Sequence, residues 1–420
     1  MEDSRRSETH SHNRLHNSAF TSGRWRQSPP PGKTVAFCGT RGLPANYGGF
    51  ETAVDEISRR FVDNEYDCEV FCRLSATKQS LSEHRGRRLV YVRGSSHRKL
   101  ETFVSSVQTG WHLLRHRRQY GHVFWFNNAN FPGILLAWLA RIPMSVNTDG
   151  LEWRRAKWSW PFKSYSYLSS FLISRMCRTL ISDSCAIQGF YRRRFFKKTN
   201  FIPYGCPVPP TITRREEDTI LNKFDLEKSK YFLQITRIEP DNLPVRVAAA
   251  FHESGLGETG FKMVFIGYKD PTPYAQRLVA FDGRHGVCVM EANYDAGVLQ
   301  VLRGNCFCYV HGNSVGGTNP ALLEAMATCP RLMAIDCEFS REVLGSTGML
   351  FDPAVIAATF KQVLLSPDHA PAMQQRVRQH YQWDAVADAY IRLAKNAPAD
   401  YRVSATEIKP QAQQEYTTSR

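Results

Sequence analysis

The sequence predicts an α/β protein built from two doubly wound parallel-sheet domains. Apolar, strand-like runs alternate with helical patterns along both halves of the chain, as in βαβ units. Each half also contains a glycine-bearing loop that leads from a strand into a helix, and these loops lie about 270 positions apart, as expected for two such units. A chain of 420 residues with 42% apolar content is large enough to bury two cores.

The first glycine loop follows an apolar run at residues 33–39. Its sequence is Gly39-Thr-Arg-Gly-Leu-Pro-Ala-Asn-Tyr-Gly-Gly-Phe-Glu-Thr52, and the helical pattern that follows places Phe50, Val54, Ile57 and Phe61 on one face. The glycines do not complete a G-x-G-x-x-G fingerprint, which disfavours a dinucleotide-dependent dehydrogenase. Unpaired amides at a helix start attract phosphate, so Gly48 and Gly49 are candidate anion-binding positions.

The second glycine loop lies in the segment His311-Gly-Asn-Ser-Val-Gly-Gly-Thr-Asn-Pro-Ala-Leu-Leu-Glu-Ala-Met326. Gly316 and Gly317 allow backbone angles that other residues avoid, Thr318 or Asn319 can cap a helix, and Pro320 suits its first turn. Such a helix start directs amides and a positive dipole end toward a phosphate. The alternative is an ordinary capped helix after a strand.

The remaining pattern divides the chain into domains. In the second half, strand-like runs cover residues 231–235, 261–266, 306–310 and 332–335, and helical patterns cover 245–251 and 318–327. Prolines 207, 209 and 210 mark an interdomain linker. The predicted organisation is an N-terminal domain (32–205), a linker (206–229), a C-terminal domain (230–376) and a closing helix (377–398).

The two ends of the chain are polar. Residues 1–31 are rich in Ser, Arg, His and Pro and contain neither a signal peptide nor an anchor, which predicts a disordered tail. A flexible tail is predicted for 399–420. The longest apolar stretch, 131–140, is shorter than the ~20 residues that span a bilayer, so it predicts a core helix. The 11 cysteines lack paired C-x-x-C spacings, which predicts reduced, buried thiols in a cytoplasmic protein.

Positive charge is concentrated in the first half. Residues 1–200 carry a balance of +17 and residues 201–420 one of −2. Within the stretch 153–198, eleven basic residues and eleven aromatic residues accompany a single acid, a mixture that suits an anionic membrane surface. The side chains predicted to face the membrane or acceptor are Trp158, Trp160, Arg192, Arg193 and Arg194. The alternative is a solvated face over core aromatics, and no nucleic-acid-binding motif accompanies the charge.

Five ordered segments carry a family resemblance. Residues 39–52, 147–158 (Asn-Thr-Asp-Gly-Leu-Glu-Trp-Arg-Arg-Ala-Lys-Trp), 202–205 (Ile-Pro-Tyr-Gly), 237–242 (Arg-Ile-Glu-Pro-Asp-Asn) and 311–326 resemble bacterial glycosyltransferase family 4. The similarity extends over roughly residues 33–395 and is greatest to the subgroup often named as rhamnosyltransferases of capsule, exopolysaccharide and O-antigen assembly. It implies the GT-B architecture, two Rossmann-like domains over a cleft, with the last helix often crossing back to the first domain.

The resemblance also implies an activity and a place of action. Family members are retaining enzymes that move a sugar from a nucleotide diphosphate donor. The acceptor expected here is a polyprenyl-diphosphate-linked saccharide, so the protein is expected to be peripheral at the inner face of the plasma membrane. A catalytically inactive scaffold and a nucleotide-sugar epimerase of the same fold remain alternatives.

The chemistry of sugar transfer, together with the resemblance, assigns roles to residues. Negative charge develops on the leaving diphosphate and needs fixed positive groups and amides, which Arg237 and the helix start at 316–320 can supply. Glu324 matches the family's ribose-binding Glu. Asp149, at a predicted strand end, orients the sugar or acceptor or acts as a general base, or else forms an Asx turn. The predicted catalytic residues are Asp149 and Arg237, and the predicted donor-binding residues are Gly48, Gly49, Arg237, Asn242, Gly316, Gly317, Thr318, Asn319 and Glu324.

Two positions depart from the family pattern. Gly316 stands where family members commonly have a Glu, and Asn242 stands where they commonly have a Lys. The diphosphate must therefore depend on Arg237 and amides, or on another basic group such as Arg246. No Asp-x-Asp occurs in the chain, and this motif holds Mg²⁺ or Mn²⁺ in other sugar transferases. We therefore predict no metal site and no cofactor beyond the nucleotide sugar itself.

Overall fold

The computed structural model describes residues 34–45, 48–76, 81–95, 100–399 and 401. The predicted disordered tail at 1–31 lies outside these residues, as does the predicted flexible tail apart from Ala399 and Tyr401. Within the described residues the chain forms two sheets, one from strands between residues 34 and 201 and the other from strands between 231 and 351. The α/β class with two parallel sheets is confirmed.

The first sheet contains eight strands among the described residues, and its neighbouring pairs are parallel except β3 with β4. Its spatial order is β3-β4-β2-β1-β5-β6-β7-β8. The strands are β1 (Thr34–Cys38), β2 (Cys68–Arg73), β3 (Glu83–His84), β4 (Arg87–Val92), β5 (Tyr120–Phe126), β6 (Met144–Asn147), β7 (Thr179–Ser182) and β8 (Asn200–Phe201).

Five helices cover this sheet within the described part of the chain. They are α1 (Gly49–Asp63), α2 (Glu101–Arg115), α3 (Phe131–Leu139), α4 (Trp160–Met176) and α5 (Cys185–Phe195). The connections from β4 through β8 all step in one direction across the sheet. Because parallel crossovers are right-handed, α2 to α5 lie together on one face, and α1 lies on the other.

The second sheet contains six strands among the described residues, all parallel, in the order β11-β10-β9-β12-β13-β14. Its strands are β9 (Tyr231–Ile235), β10 (Lys262–Tyr268), β11 (Val287–Glu291), β12 (Cys308–His311), β13 (Leu332–Ile335) and β14 (Met349–Phe351). The helices between them are α7 (Pro244–Ser254), α8 (Pro273–Val279), α9 (Ala296–Asn305), α10 (Pro320–Thr328) and α11 (Glu338–Leu344), and α12 (Ile356–Val363) follows β14.

The predicted linker contains a helix that the sequence analysis did not identify. Helix α6 (Arg214–Lys223) begins with a capping box in which the Thr213 hydroxyl accepts from the Glu216 amide and the Glu216 carboxylate accepts from the Thr213 amide. The signal was present in the sequence, since Thr-x-x-Glu marks a helix start. The proline-rich residues before it had favoured a linker.

The predicted closing helix is broken into two. Helix α13 (Ala370–His380) ends just before Tyr381, and α14 (Trp383–Ala394) follows it. Helix α14 packs against α1 of the first domain. There the Tyr390 ring lies parallel to that of Phe126, and the Asn147 side-chain amide donates to the Tyr390 hydroxyl at 3.1 Å. Helix α14, the last helix in the described part of the chain, thus returns to the first domain.

Both cores are apolar and aromatic. In the first domain Phe37 lies 5.4 Å from the ring centres of both Phe61 and Phe124, and all three side chains are buried. The second core centres on Phe232, which contacts Phe251 and Phe360. All 11 cysteines lie in the described residues as free thiols, and most are buried. Burial raises the pKa of Cys72 to about 11, so this thiol is protonated at neutral pH.

Candidate functional site

The loops at the carboxyl ends of the two sheets contact each other. A Cβ atom added to Gly49, at the start of α1, would lie 3.0 Å from Cγ of Pro320, at the start of α10. A Cβ added to Gly150, after β6, would lie 3.4 Å from Cα of Gly316, after β12. The two predicted glycine loops therefore meet across the domain boundary. In parallel α/β sheets this edge is where ligands bind.

The first glycine loop enters its helix without a side-chain cap. Gly48 has φ +100°, a conformation that side-chain-bearing residues rarely adopt, and it is the N-cap of α1. As a glycine, Gly48 offers no side chain to accept a hydrogen bond from the first amides of α1. The start of this 15-residue helix lies beside the start of α10.

The second glycine loop is held against the end of strand β7. The Thr318 hydroxyl donates to the carbonyl oxygen of Asp183, and Thr318 is buried. A Cβ added to Gly317 would lie 1.9 Å from Oδ1 of Asp183, so only glycine fits at this contact. The side chain of Asn319 caps α10 by accepting from the Ala321 amide at 3.0 Å, one of the two caps that the sequence allowed.

Asp149 lies immediately beyond β6 in a left-handed conformation, with φ +59°. Its amide donates to Oδ1 of Asn147 at 3.2 Å, and its own Oδ1 accepts from the Gly150 amide at 2.7 Å. Asn147 therefore forms the Asx turn that had been considered for Asp149. Burial, followed by the negative charge of Glu152, raises the pKa of Asp149 to about 7, while Arg155 opposes the rise.

Asp183 is a buried carboxyl group that the sequence analysis did not assign to the site. It follows β7, the neighbour of β6, so the carboxyls of Asp149 and Asp183 are adjacent at one sheet edge. Burial raises the pKa of Asp183 to about 8, and the charges of Asp149 and Glu342 add to the rise. Its Oδ1 has no hydrogen-bond partner in the described part of the chain. Both acids can therefore be protonated near neutral pH.

Arg237 lies just beyond β9, and its side chain is 54% exposed. Its guanidinium is 3.7 Å from the carboxylate of Glu239. Asn242 is buried, and its side-chain amide donates to the Arg237 carbonyl oxygen at 2.8 Å. The Asn242 side chain is therefore bonded to the backbone of the loop that presents Arg237, and it fixes that loop.

Glu324 lies one turn inside α10, where its carboxylate forms an ion pair with Arg303 of α9. The Arg303 side chain is buried and that of Glu324 is 29% exposed. Arg303 was not singled out by the sequence analysis. Glu324 lies on the C-terminal domain near the glycine loop. The ion pair fixes one of its carboxylate oxygens.

The residues predicted to face the membrane do not form one cluster. The indole N–H of Trp158 donates to Glu152 at 2.5 Å, and its ring packs 4.2 Å from that of Phe162. Trp160, 78% exposed, begins α4 at the carboxyl edge of the sheet. Arg192, Arg193 and Arg194 are exposed in the last turn of α5, at the opposite edge. The length of α4, about 25 Å at 1.5 Å per residue, separates the two groups.

Other exposed apolar side chains lie on the same helical layer. Helix α2 and its preceding residue expose Leu100, Phe103, Val107 and Trp111, at helical spacing on one side. Helix α3 exposes Trp138 and Leu139, although the sequence had predicted it to be a core helix. No helix within the described residues is long and apolar enough to cross a bilayer. Nor do those residues contain a group of three or more His, Cys, Asp or Glu side chains able to hold a metal ion.

Comparisons with known proteins identify the architecture. Residues 32–207 match the family described as "Domain of unknown function (DUF1972)", and no curated protein sequence matches the chain. Sucrose-phosphate synthase from Thermosynechococcus elongatus superimposes with a TM-score of 0.71 at 16% identity, covering 87% of this chain and 98% of that one. HepE from Anabaena, solved with UDP and glucose, superimposes with a TM-score of 0.68 at 13% identity, covering 86% of this chain and 99% of that one.

A third similar structure is the UDP-forming α,α-trehalose-phosphate synthase from Burkholderia vietnamiensis. Its TM-score is 0.63 at 10% identity, and the alignment covers 87% of this chain and all of that one. Each of the three alignments covers 86–87% of this chain and at least 98% of the other. The chain therefore has the GT-B fold, as the sequence predicted.

Proposed function

We propose that this protein is a retaining glycosyltransferase that takes a sugar from a nucleoside diphosphate donor and transfers it to a lipid-linked saccharide. The observation that carries the proposal is the contact between two helix starts from different domains, α1 at Gly49 and α10 at Pro320, with Arg237 following β9, the strand next to β12 in the same sheet. The same architecture in HepE was solved with UDP-glucose. The sequence resemblance favours rhamnose as the sugar and a polysaccharide pathway as the setting.

The residues at the domain boundary suit this reaction. The donor diphosphate lies in front of α10, where the amides of 316–319 and the guanidinium of Arg237 offset the charge that develops as the sugar–phosphate bond breaks. The acceptor oxygen bonds to the sugar on the face that the phosphate leaves, and the hydroxyl proton passes to the departing phosphate oxygen. Glu324 binds the ribose, and Asp149 orients the sugar or acceptor.

Donor binding tests this proposal. Thermal shift with UDP-, dTDP- and GDP-sugars should show a raised melting temperature for at least one, because a ligand that binds only the folded state stabilises it. Arg237→Ala should then weaken binding of that donor by about 10- to 150-fold, the equivalent of roughly 1.5–3 kcal/mol for a charge-assisted contact. Titration calorimetry measures the change.

Arg284→Ala is the matched control, since Arg284 is an exposed arginine of the same domain that precedes β11, at the sheet edge opposite to Arg237. It should bind the donor like wild type. Equal affinity in Arg237→Ala and wild type would remove Arg237 from the site. Donor binding without transfer to any lipid-linked saccharide would favour the inactive scaffold instead.

The surface of α2 to α5 supports membrane association. This layer exposes apolar side chains, and its amino-edge end carries Arg192, Arg193 and Arg194. Changing these three arginines to Glu should abolish co-sedimentation with vesicles that contain acidic phospholipid at low salt, because lipid phosphate then repels the surface. Wild-type protein should be released as salt screens an attraction whose range is ~10 Å at 0.1 M.

A control with the same change in charge is available on the C-terminal half. Arg214, Arg215 and Arg378 are exposed, and their replacement by Glu should leave vesicle binding intact. Donor binding should be unaffected in both triple variants. If the two triple variants sediment alike, the arginines of α5 are not the membrane contact.

A further inference from the structure

The C-terminal domain presents one cation fewer to the donor diphosphate than the resembled family does. Asn242 occupies the position of the missing lysine, and its side chain is buried and bonded to the Arg237 carbonyl oxygen. Arg246, considered as a substitute from the sequence, is an exposed side chain in the first turn of α7. The facing domain brings another cation to the carboxylate that Arg237 approaches.

Lys157 of the facing domain approaches Arg237. Its ammonium donates to both carboxylate oxygens of Glu239, at 3.1 and 3.3 Å. The guanidinium of Arg237 lies 3.7 Å from the same carboxylate. Burial and the positive charge of Arg237 lower the pKa of Lys157, while Glu239 raises it. Two cations from different domains thus share a single carboxylate.

The loop that carries Lys157 is fixed to the same place. The Ala156 amide donates to Oδ1 of Asp241 at 3.1 Å, and both the amide and the hydroxyl of Ser314 donate to the Asp241 carbonyl oxygen at 2.9 and 2.8 Å. Asp241 therefore joins three loops: the one after β6, the one after β9 and the glycine loop after β12. Lys157 and Arg237 lie at this junction.

We propose that Lys157 is a donor-binding residue, which contributes across the domain boundary the ammonium that Asn242 cannot provide. In the donor-free protein, Glu239 holds the Lys157 ammonium beside Arg237. A diphosphate, with more negative charge than one carboxylate, takes over both cations. Because the two cations belong to different domains, donor binding also holds the domains together. Lys157 has this role only if the protein binds a nucleoside diphosphate, as proposed above.

The two members of the ion pair should have opposite effects on binding. Lys157→Met keeps the aliphatic stem and removes the charge, so it should weaken binding of a nucleoside diphosphate by about 10- to 100-fold. Glu239→Gln removes the carboxylate that competes for both cations and repels the ligand, so it should tighten binding several-fold. If the pair only joined the domains, both variants would weaken binding alike.

The experiment is titration calorimetry of the full chain with UDP, dTDP, GDP and ADP, followed by the variants with whichever binds. Lys228→Met is the control, since Lys228 is an exposed lysine that pairs with Glu217 away from the junction, and it should bind like wild type. Unchanged affinity in Lys157→Met, or weakening in both Lys157→Met and Glu239→Gln, would overturn the role of Lys157. Wild-type protein that binds none of the four diphosphates would overturn the proposed function as well.

Discussion

Gly317→Ala is expected to disrupt the contact between the two domains and to lower the proposed transfer activity by about 100-fold or more. The added Cβ would lie 1.9–2.2 Å from three atoms of the Asp183 carboxyl group, well inside contact distance. Asp183 is buried at the end of β7, and Thr318 is bonded to its carbonyl oxygen, so either the Asp183 side chain must rotate within its buried site or the two loops must move apart. Overpacking of this kind costs about 1–3 kcal/mol, and a displacement near 1 Å at a reacting centre can cost about 100-fold in rate.

Thermal unfolding and the transfer rate measure the two parts of this effect. Gly304→Ala is the control, because its nearest neighbour would be Cγ2 of Thr328 at an ordinary 3.7 Å. Gly304 lies within α9, where alanine is favoured over glycine, so this variant should be as stable as wild type or more so. Adding Asp183→Ala to Gly317→Ala should restore part of the lost stability. A Gly317→Ala protein with wild-type stability and activity would show that the domains do not close as described.

Asp183→Asn is expected to be more stable than wild type at alkaline pH. The folded-state pKa of Asp183 is raised to about 8, against about 3.9 in an unfolded chain. The stability contributed by the protonated carboxyl is therefore fully present below about pH 4 and is lost as the pH rises to about 8, by up to about 1.4 kcal/mol per pH unit. Asparagine does not ionise, so the advantage of the variant should grow from pH 4 to pH 8 and then level off.

Neighbouring charges shape this profile. The groups that act on Asp183 are Asp149 and Glu342, which raise its pKa, and Arg155, which lowers it. Asp149→Asn should show a similar but narrower gain, since its pKa is raised to about 7. Urea unfolding at pH 5, 7 and 8.5 measures the differences, with the exposed Asp218→Asn as control. Parallel stability curves for Asp183→Asn and wild type would mean that Asp183 is ionised in the folded protein.

Local signals in the sequence predicted much of the fold. The runs at 231–235 and 332–335 form β9 and β13 with those bounds, and the cap and proline at Asn319 and Pro320 start α10. The signals for these elements are local in the sequence: apolar runs, helix-capping residues and prolines. That two α/β domains face one cleft was also expected, from the two glycine loops and from the family resemblance, whereas the contact between Gly49 and Pro320 was not predicted.

What the sequence did not reveal depends on contacts between distant residues. Asp183 was only the single acid in a basic stretch, and its pairing with Asp149 arises because β6 and β7 are neighbours in the sheet. Lys157 belonged to the same basic stretch, and its partner Glu239 lies 82 positions away. Trp160 and the three arginines of α5 were grouped by proximity in the chain, whereas the directions of two helices place them at opposite edges. The roles assigned to Asp149, Arg237 and Glu324 remain predictions.

Because α14 returns to the first domain, that domain is not formed by one continuous stretch of the chain. The family match ends at residue 207, yet the face of α1 that lies against α14 is covered by residues from the far end of the chain. At the same boundary the Cys206 amide donates to the Tyr381 carbonyl oxygen at 2.8 Å, and Gly205 lies against the Trp383 ring. A fragment cut at residue 207 would expose Phe126 and its neighbours to water where Tyr390 now covers them. The amino-terminal half is therefore completed only after α14 has been synthesised.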